Sequence, residues 1–351
     1  MSRPPAVAEM RTTPPLEAVA SAAWAGPNPL LTVVMSTHGR ADLLGGLLDA
    51  LEAQDHRDFE VIIADNGSRD GTWSMLAERC ARTPLRLRAL RLSFHDGPAV
   101  PRNACIAEAR GELIAFTDDD CLPTPSWLSA LAAAFDDDKP AVIVQGRTSP
   151  EPGGWGGPWG RSLDVPAPSG LYETANLAAR RAAIVEAGGF PAERLLTGRA
   201  FGEDVVLGSM LARSGGFRFA ADAVVHHRVM PGTYRDFVRE RQRLAGFPVL
   251  LRQVPDLRRR VFARVFLSRR TAITDLGLTG CLVGVVLAGL GVLPGLVALV
   301  GALPWLVALN RDARGRTGRN RVVRMAQVGF ADLVGAGALA AGSLRARRLL
   351  L

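Results

Sequence analysis

Three consecutive carboxylates, Asp118-Asp119-Asp120, close an apolar run, Leu113-Ile114-Ala115-Phe116-Thr117. A run of this kind fits a strand buried on both faces of a sheet. Acids at its end must reach solvent, a metal or a positive ligand, because burying an unpaired charge is costly. On an extended segment Asp118 and Asp120 share one side and Asp119 takes the other. Two converging carboxylates make a hard-oxygen site for Mg2+ or Mn2+, a cation that substrate phosphates usually complete. Asp136-Asp137-Asp138 is the contrast: it follows a helical stretch, Trp127 to Phe135, and reads as a solvated helix end. Glu203-Asp204 follows Gly202 at the start of another helical stretch, where acids complement the helix dipole. His226-His227 follows Ala223-Val224-Val225, a strand pattern whose terminal histidine is placed to hold a metal or a diphosphate.

The elements that must position these groups follow from periodicity. Leu30 to Ser36, Phe59 to Ala64, Leu113 to Thr117 and Ala141 to Gly146 are strand patterns, and Leu85 to Leu92 alternates. Between them, Asp42 to Leu51, Trp73 to Cys80 and Ala99 to Ala109 are helical, the last stopped by Gly111. Strand, helix, strand, helix, strand is a doubly wound α/β unit, with ligand expected at the carboxyl ends of its strands. The turns holding Thr37, Asp65 and Asp118 to Asp120 all fall on that edge. Neither GxGxxG nor GxxxxGK[ST] occurs, so a dinucleotide or P-loop reading has no support. A Gly- and Pro-rich stretch, 149–170, carries Trp155 and Trp159. It fits a lid whose aromatic faces stack on a sugar, and equally a plain surface loop with tryptophan anchors.

Four segments occur in order: Val33-Val34-Met35-Ser36-Thr37-His38-Gly39-Arg40, Asp65-Asn66-Gly67-Ser68-Arg69-Asp70-Gly71-Thr72, Gly97-Pro98-Ala99-Val100-Pro101-Arg102-Asn103 and Phe116-Thr117-Asp118-Asp119-Asp120. Ala175-Asn176 to Arg180, Gly188-Gly189-Phe190, Gly202-Glu203-Asp204 to Gly208 and Val225-His226-His227 continue the series. Together, over about residues 30–230, they resemble a family-2 glycosyltransferase with the GT-A fold, a Rossmann-like doubly wound mixed sheet. The resemblance implies that Asp65 contacts the nucleobase and that Thr37, Arg40 and Arg102 line the nucleotide pocket. It places Asp118 near the ribose and Asp120 at a divalent ion. Asp119, Glu203, Trp155 and Trp159 join the substrate-binding set, and Asp118, Asp120 and His227 the metal set, with His227 matching the pattern better than His226. The family's commonest first turn reads Tyr-Asn where His38-Gly39 stands here. Asp204 becomes the general base that deprotonates an acceptor hydroxyl, and the helix start is expected to hold its pKa low.

Charge divides the chain. Residues 1–230 carry 22 Lys and Arg against 28 Asp and Glu, net −6, whereas residues 231–351 carry 20 against 6, net +14. Residues 1–29 are rich in Pro and Ala and are expected as a disordered tail, with no signal peptide. Residues 231–274 interleave arginines with apolar residues, the composition of helices lying on an anionic membrane surface rather than on nucleic acid. No charged residue stands between Leu276 and Leu309, and a break at Gly291 to Gly295 suggests a hairpin over 276–309 with both ends cytoplasmic. A further apolar helix over 325–344, containing Asp332, reads as interfacial or packed. No Gln-x-x-Arg-Trp motif stands near Arg243, which disfavours a polymerising enzyme. Cys80, Cys105, Cys121 and Cys281 form no CxxC pair and read as reduced thiols.

These features point to an inverting, metal-dependent glycosyltransferase at the cytoplasmic membrane face, with its catalytic domain (residues 30–230) in the cytoplasm. It would take a nucleotide-diphosphate sugar, Mg2+ or Mn2+, and a hydroxyl acceptor such as a lipid or a lipid-linked glycan of the cell envelope. The competing readings are a sugar nucleotidyltransferase, for which Ser36 to Arg40 makes a poor phosphate loop, and an inactive membrane scaffold with the same fold.

Overall fold

The computed structural model describes residues 10–93, 95, 97–136, 141–191, 201–291, 300 and 302–351. The chain divides into two compact units, the first ending at Pro231 and the second running from Gly232 to Leu351.

The first unit holds strands β1 (Glu17–Ala20), β2 (Leu31–Thr37), β3 (Phe59–Asp65), β4 (Leu87–Arg91), β5 (Leu113–Phe116), β6 (Cys121–Pro123), β7 (Ala141–Pro150), β8 (Leu177–Arg180) and β9 (Gly216–His227). Its helices are α1 (Ala41–Glu52), α2 (Thr72–Arg82), α3 (Ala99–Glu108), α4 (Trp127–Ala133), α5 (Arg181–Glu186) and α6 (Glu203–Ser214). The strands form one mixed sheet in the order β1-β4-β3-β2-β5-β8-β7-β9-β6. β4, β3, β2 and β5 are parallel, and β8 is antiparallel to β5 and β7. Side chains of period two distribute the core over both faces. Val33, Met35, Val61 and Ile63 pack with Leu44, Leu48 and Trp127 on one side, and Val34, Ile62, Ile114 and Phe116 with Ile106, Phe190 and Leu207 on the other.

Two expectations change here. Residues 17–25, read as part of a disordered tail, form β1 and a short 3-10 helix, and β1 pairs antiparallel with β4. Glu-Ala-Val-Ala carries little local strand signal, and its partner lies about 70 residues away, so only the sheet edge itself identifies it. The second change concerns the acids. β5 ends at Phe116, and Asp119 and Asp120 lie in a turn. Strand alternation therefore does not govern them, and each takes a different partner.

Asn176 ties the second half of the sheet together. Its Oδ1 accepts from Trp127 Nε1 at 2.9 Å, and its Nδ2 donates to the carbonyls of Arg147 and Ala223 at 2.9 and 2.8 Å. Gly146 makes this possible, since a Cβ there would stand 2.3 Å from Asn176 Oδ1. Residues 137–138 of the second acidic triplet lie outside the described residues.

The second unit holds α7 (Tyr234–Arg243), α8 (Phe247–Gln253), α9 (Arg269–Gly289), α10 (Leu303–Asp312) and α11 (Gly318–Ala346). α7 starts on a capping box, with Thr233 Oγ1 accepting from Asp236 N and Asp236 accepting from Thr233 N. α9 and α11 are long and apolar enough to cross a membrane by length and composition. α9 begins seven residues earlier than the charge-free run and includes Asp275. α10, at 10 residues, reaches only about 15 Å against a hydrocarbon core of about 30 Å. The hairpin turn expected at Gly291 to Gly295 lies, after Gly291, outside the described residues. The basic segment expected on a membrane surface is partly core: Pro248, Val249, Leu250 and Leu251 of α8 are buried. Asp332 is buried too, and α11 carries it against Arg270, whose Nε donates to its Oδ2 at 3.0 Å.

Candidate active site

The carboxyl ends of β2, β3 and β5 lie in register, Thr37 beside Asp65. α3 supplies Arg102 from within its first turns, and α6 brings Glu203 and Asp204 to the same place from its N-terminus. Gly202, at φ +77°, makes the left-handed entry to α6 that residues with a side chain rarely adopt. The result is one buried guanidinium among three carboxylates. Arg102 Nη2 donates to Asp118 Oδ1 at 2.8 Å, and its Nη1 lies 3.6 Å from Asp204 Oδ1 and 3.9 Å from Glu203 Oε1. Arg102 was expected to line a nucleotide pocket; its side chain is only 7% exposed and is engaged by the site's own acids. Those charges raise its pKa further, against the opposing effect of burial.

Asp204 is held from its other oxygen. Oδ2 accepts from Thr174 N at 3.3 Å and from Thr174 Oγ1 at 3.0 Å. The helix start was expected to lower the pKa of this acid. Burial dominates instead and pushes it up to about 6, with Arg102 working in the opposite direction.

The three strand-end acids diverge. Asp118 goes to Arg102. Asp119 accepts from Thr37 Oγ1 at 2.8 Å, with Arg40 Nε 4.0 Å away, and burial pushes its pKa up to about 6. Asp120 faces β9, where His227 Nε2 lies 3.4 Å from its Oδ1. Burial raises the pKa of Asp120 as well. His227 Nδ1 lies 2.9 Å from the Arg228 carbonyl, so that nitrogen carries the proton and donates. His227 Nε2 is thereby aimed at the Asp120 carboxylate, so the two ligand atoms face each other where a divalent cation would sit. Cys121 completes this cluster, with one ligand atom of each of Asp120, Cys121 and His227 within 4.8 Å of the others. Burial raises the thiol pKa well above its usual range, so Cys121 stays protonated and is a poor ligand. The carboxylate suits Mn2+ or Mg2+, whereas the imidazole is a ligand for softer transition metals and favours Mn2+ over Mg2+. His226 is not in the cluster, its Nδ1 lying 3.0 Å from Ser149 Oγ. Asp118, expected beside Asp120 on the metal, is not in it either.

Asp65 is fully buried. Its Oδ1 accepts from Ser68 N at 3.0 Å, and its Oδ2 has no hydrogen-bond partner. The His38 and His95 rings lie 4.2 Å apart at a tilt of 41°, and His38 Nδ1 lies 2.9 Å from the Asn66 carbonyl. Asn66 Nδ2 donates to the Gly97 carbonyl at 2.8 Å. The loop with Trp155 and Trp159 is tied back to the His227 end of β9: Arg161 and Met230 exchange backbone hydrogen bonds, and Ser162 Oγ donates to the His227 carbonyl at 2.9 Å. Trp155 is 81% exposed and Trp159 half-buried. Thr174 and Cys121 were not singled out in the sequence. Only its place next to the Ala175-Asn176 segment could have flagged Thr174.

A mixed sheet with acids gathered at the carboxyl edge of its parallel strands, and a further acid brought in by a downstream helix, is the layout of a GT-A glycosyltransferase domain. Residues 32–190 match the family model described as glycosyl transferase family 2. It is 32% identical over 111 residues to the uncharacterized glycosyltransferase YfnE of Bacillus subtilis, covering 32% of this chain and 28% of that one. It is 31% identical over 93 residues to the GalNAc(5)-diNAcBac-PP-undecaprenol beta-1,3-glucosyltransferase of Campylobacter jejuni, covering 26% and 30%. The match thus spans less than a third of either relative. In fold, the chain is similar to the mannosyltransferase PcManGT from Pyrobaculum calidifontis in complex with GDP-Man and Mn2+. The TM-score is 0.53 at 19% identity, over 95% of this chain and 90% of that one.

Proposed function

We propose that this protein is an inverting, metal-dependent glycosyltransferase that moves a sugar from a nucleotide-diphosphate donor to a hydroxyl acceptor at the cytoplasmic face of a membrane. The observation that carries the reading is the joining of Asp118 to Asp204 through the single guanidinium of Arg102, which puts the donor-side acids and a candidate base in one site. Asp204 takes the acceptor proton as its oxygen attacks the anomeric carbon. A carboxyl with a pKa near 6 is ionised at neutral pH and still basic enough to serve. Inversion requires one such base and no covalent intermediate.

Asp120 and His227 would hold the divalent cation. When bound, it supplies positive charge for the departing nucleoside diphosphate, which then needs no general acid. Asp118 contacts the ribose, and Asp119 keeps Thr37 and Arg40 at the pocket wall. Asp65, whose Oδ2 is buried and unpartnered, has the free acceptor that a nucleobase N–H needs. Trp155 offers an exposed face for a sugar ring. The Campylobacter relative is named for a lipid-linked substrate, and α9 and α11 are long and apolar enough to span. Both support a lipid or lipid-linked glycan as the acceptor class here.

The test is purified protein with Mn2+ against a panel of nucleotide sugars and hydroxyl acceptors, scored by nucleoside diphosphate release. One donor should turn over, and Asp204→Asn should cut turnover by roughly 10²–10⁴ with donor binding retained. Diphosphate release from a nucleoside triphosphate and a sugar 1-phosphate would instead support nucleotidyl transfer. Full activity in Asp204→Asn would sink the assignment of the base.

A further inference from the structure

In the second unit, one cleft holds opposite charges that do not neutralise each other. Its wall includes Arg241 of α7, Ser268, Thr271 and Asp275 at the start of α9, and Asp332 of α11. Asp332 is fully engaged: Arg270 and the Trp305 indole N–H donate to its Oδ2 at 2.5 and 3.0 Å. Asp275 is not. Its Oδ2 is buried with no hydrogen-bond partner, and it forms no ion pair among the described residues. The Nε of Arg241 is likewise buried without a hydrogen bond, and its guanidinium sits 4.8 Å over the Phe237 ring. Among the described residues, an unpaired carboxylate and a guanidinium with no acid thus share a wall without pairing to each other.

An uncompensated acid on a helix able to enter a bilayer by length and composition is a functional-site hypothesis by default. Asp275 is the seventh residue of α9, roughly 9 Å along the axis from Arg269 and so at headgroup depth if the helix enters there. Beyond it the helix leaves Leu276, Leu282, Val283 and Val286 exposed. A ligand that fits carries an ammonium for Asp275, an anion for Arg241 and an apolar body for α9.

We propose that this cleft binds the headgroup of an ethanolamine phospholipid, the ammonium on Asp275, the phosphate on Arg241 and the acyl chains along α9. The inference rests on the reading that the second unit meets a bilayer. A primary ammonium has N–H donors for the buried oxygen; a choline headgroup has none, and a glycerol headgroup brings no positive charge.

The experiment is sedimentation of the full-length protein with vesicles of equal phosphatidylglycerol content, the remainder being either phosphatidylethanolamine or phosphatidylcholine. The wild type should bind the ethanolamine vesicles about tenfold more tightly, the yield of one charge-assisted hydrogen bond. Asp275→Asn, nearly isosteric, should bind both alike, and Arg241→Gln should weaken the ethanolamine preference. Equal binding by the wild type overturns the inference and leaves the membrane reading standing. A preference that survives in Asp275→Asn overturns the site. Binding to neither vesicle overturns both the inference and the membrane reading.

Discussion

At the scale of the residue, the position of Asp204 depends on a neighbour that the sequence does not advertise. Thr174 lies 30 residues upstream and gives Asp204 Oδ2 two donors. Donors to the charged form lower a carboxyl pKa; burial, which raises it, prevails here. Asp204, the proposed base, is protonated below a pH of about 6, so turnover should fall on the acid side of that value and be flat above it. Thr174→Val removes the hydroxyl donor, which destabilises the carboxylate and raises its pKa. The acid limb of the kcat profile should then move up by roughly half a unit to one unit, and Thr174→Ser should restore it. An unmoved limb in Thr174→Val would mean that the hydroxyl does not hold the base. An isolated acidic triplet reads more readily as a solvated turn, and only the motifs around it raise the functional reading. The place of the acids at the end of a buried strand was legible from the apolar run before them. Their separate partners were not, because partner choice depends on a turn that strand alternation cannot describe.

At the scale of the element, the inner strands were readable and the edge was not. β2, β3 and β5 are buried on both faces and announce themselves as unbroken apolar runs. β1 is four mostly exposed residues whose only strand credential is its ladder to β4. The half-sheet of β7, β8 and β9 depends on Asn176, read in the sequence as part of a motif and found in the structure as a fully satisfied buried amide. Asn176→Ala leaves the Trp127 indole N–H and two backbone carbonyls without their partner. The cost should be about 3 kcal/mol, lowering the melting temperature by roughly 6–12 °C. A thermal scan showing no change would contradict this role.

At the scale of the whole molecule, the change from net −6 over residues 1–230 to net +14 over the rest falls next to the boundary between the two compact units. Composition therefore disclosed the division, while the helix ends within the second unit depended on packing that composition does not carry. Asp332 shows why: a carboxylate in an apolar helix looks anomalous until Arg270 and Trp305 are seen against it. A basic unit with exposed apolar helix faces should bring the full chain down with anionic vesicles. Added salt should weaken that binding without abolishing it, because salt screens charge and leaves apolar burial intact. Protein that stays in the supernatant at low salt would contradict the membrane reading.

In the proposed function, Asp120 and His227 share a cation on which a nucleoside diphosphate would rest. The most direct measurement is calorimetric titration of the purified protein with a panel of nucleoside diphosphates, with Mn2+ and with EDTA, in the wild type and in Asp120→Asn. One diphosphate should bind in Mn2+, and both EDTA and the substitution should weaken it by at least about tenfold, a loss that even an outer-shell defect causes at metal sites. Binding of equal strength in all three conditions would contradict the account.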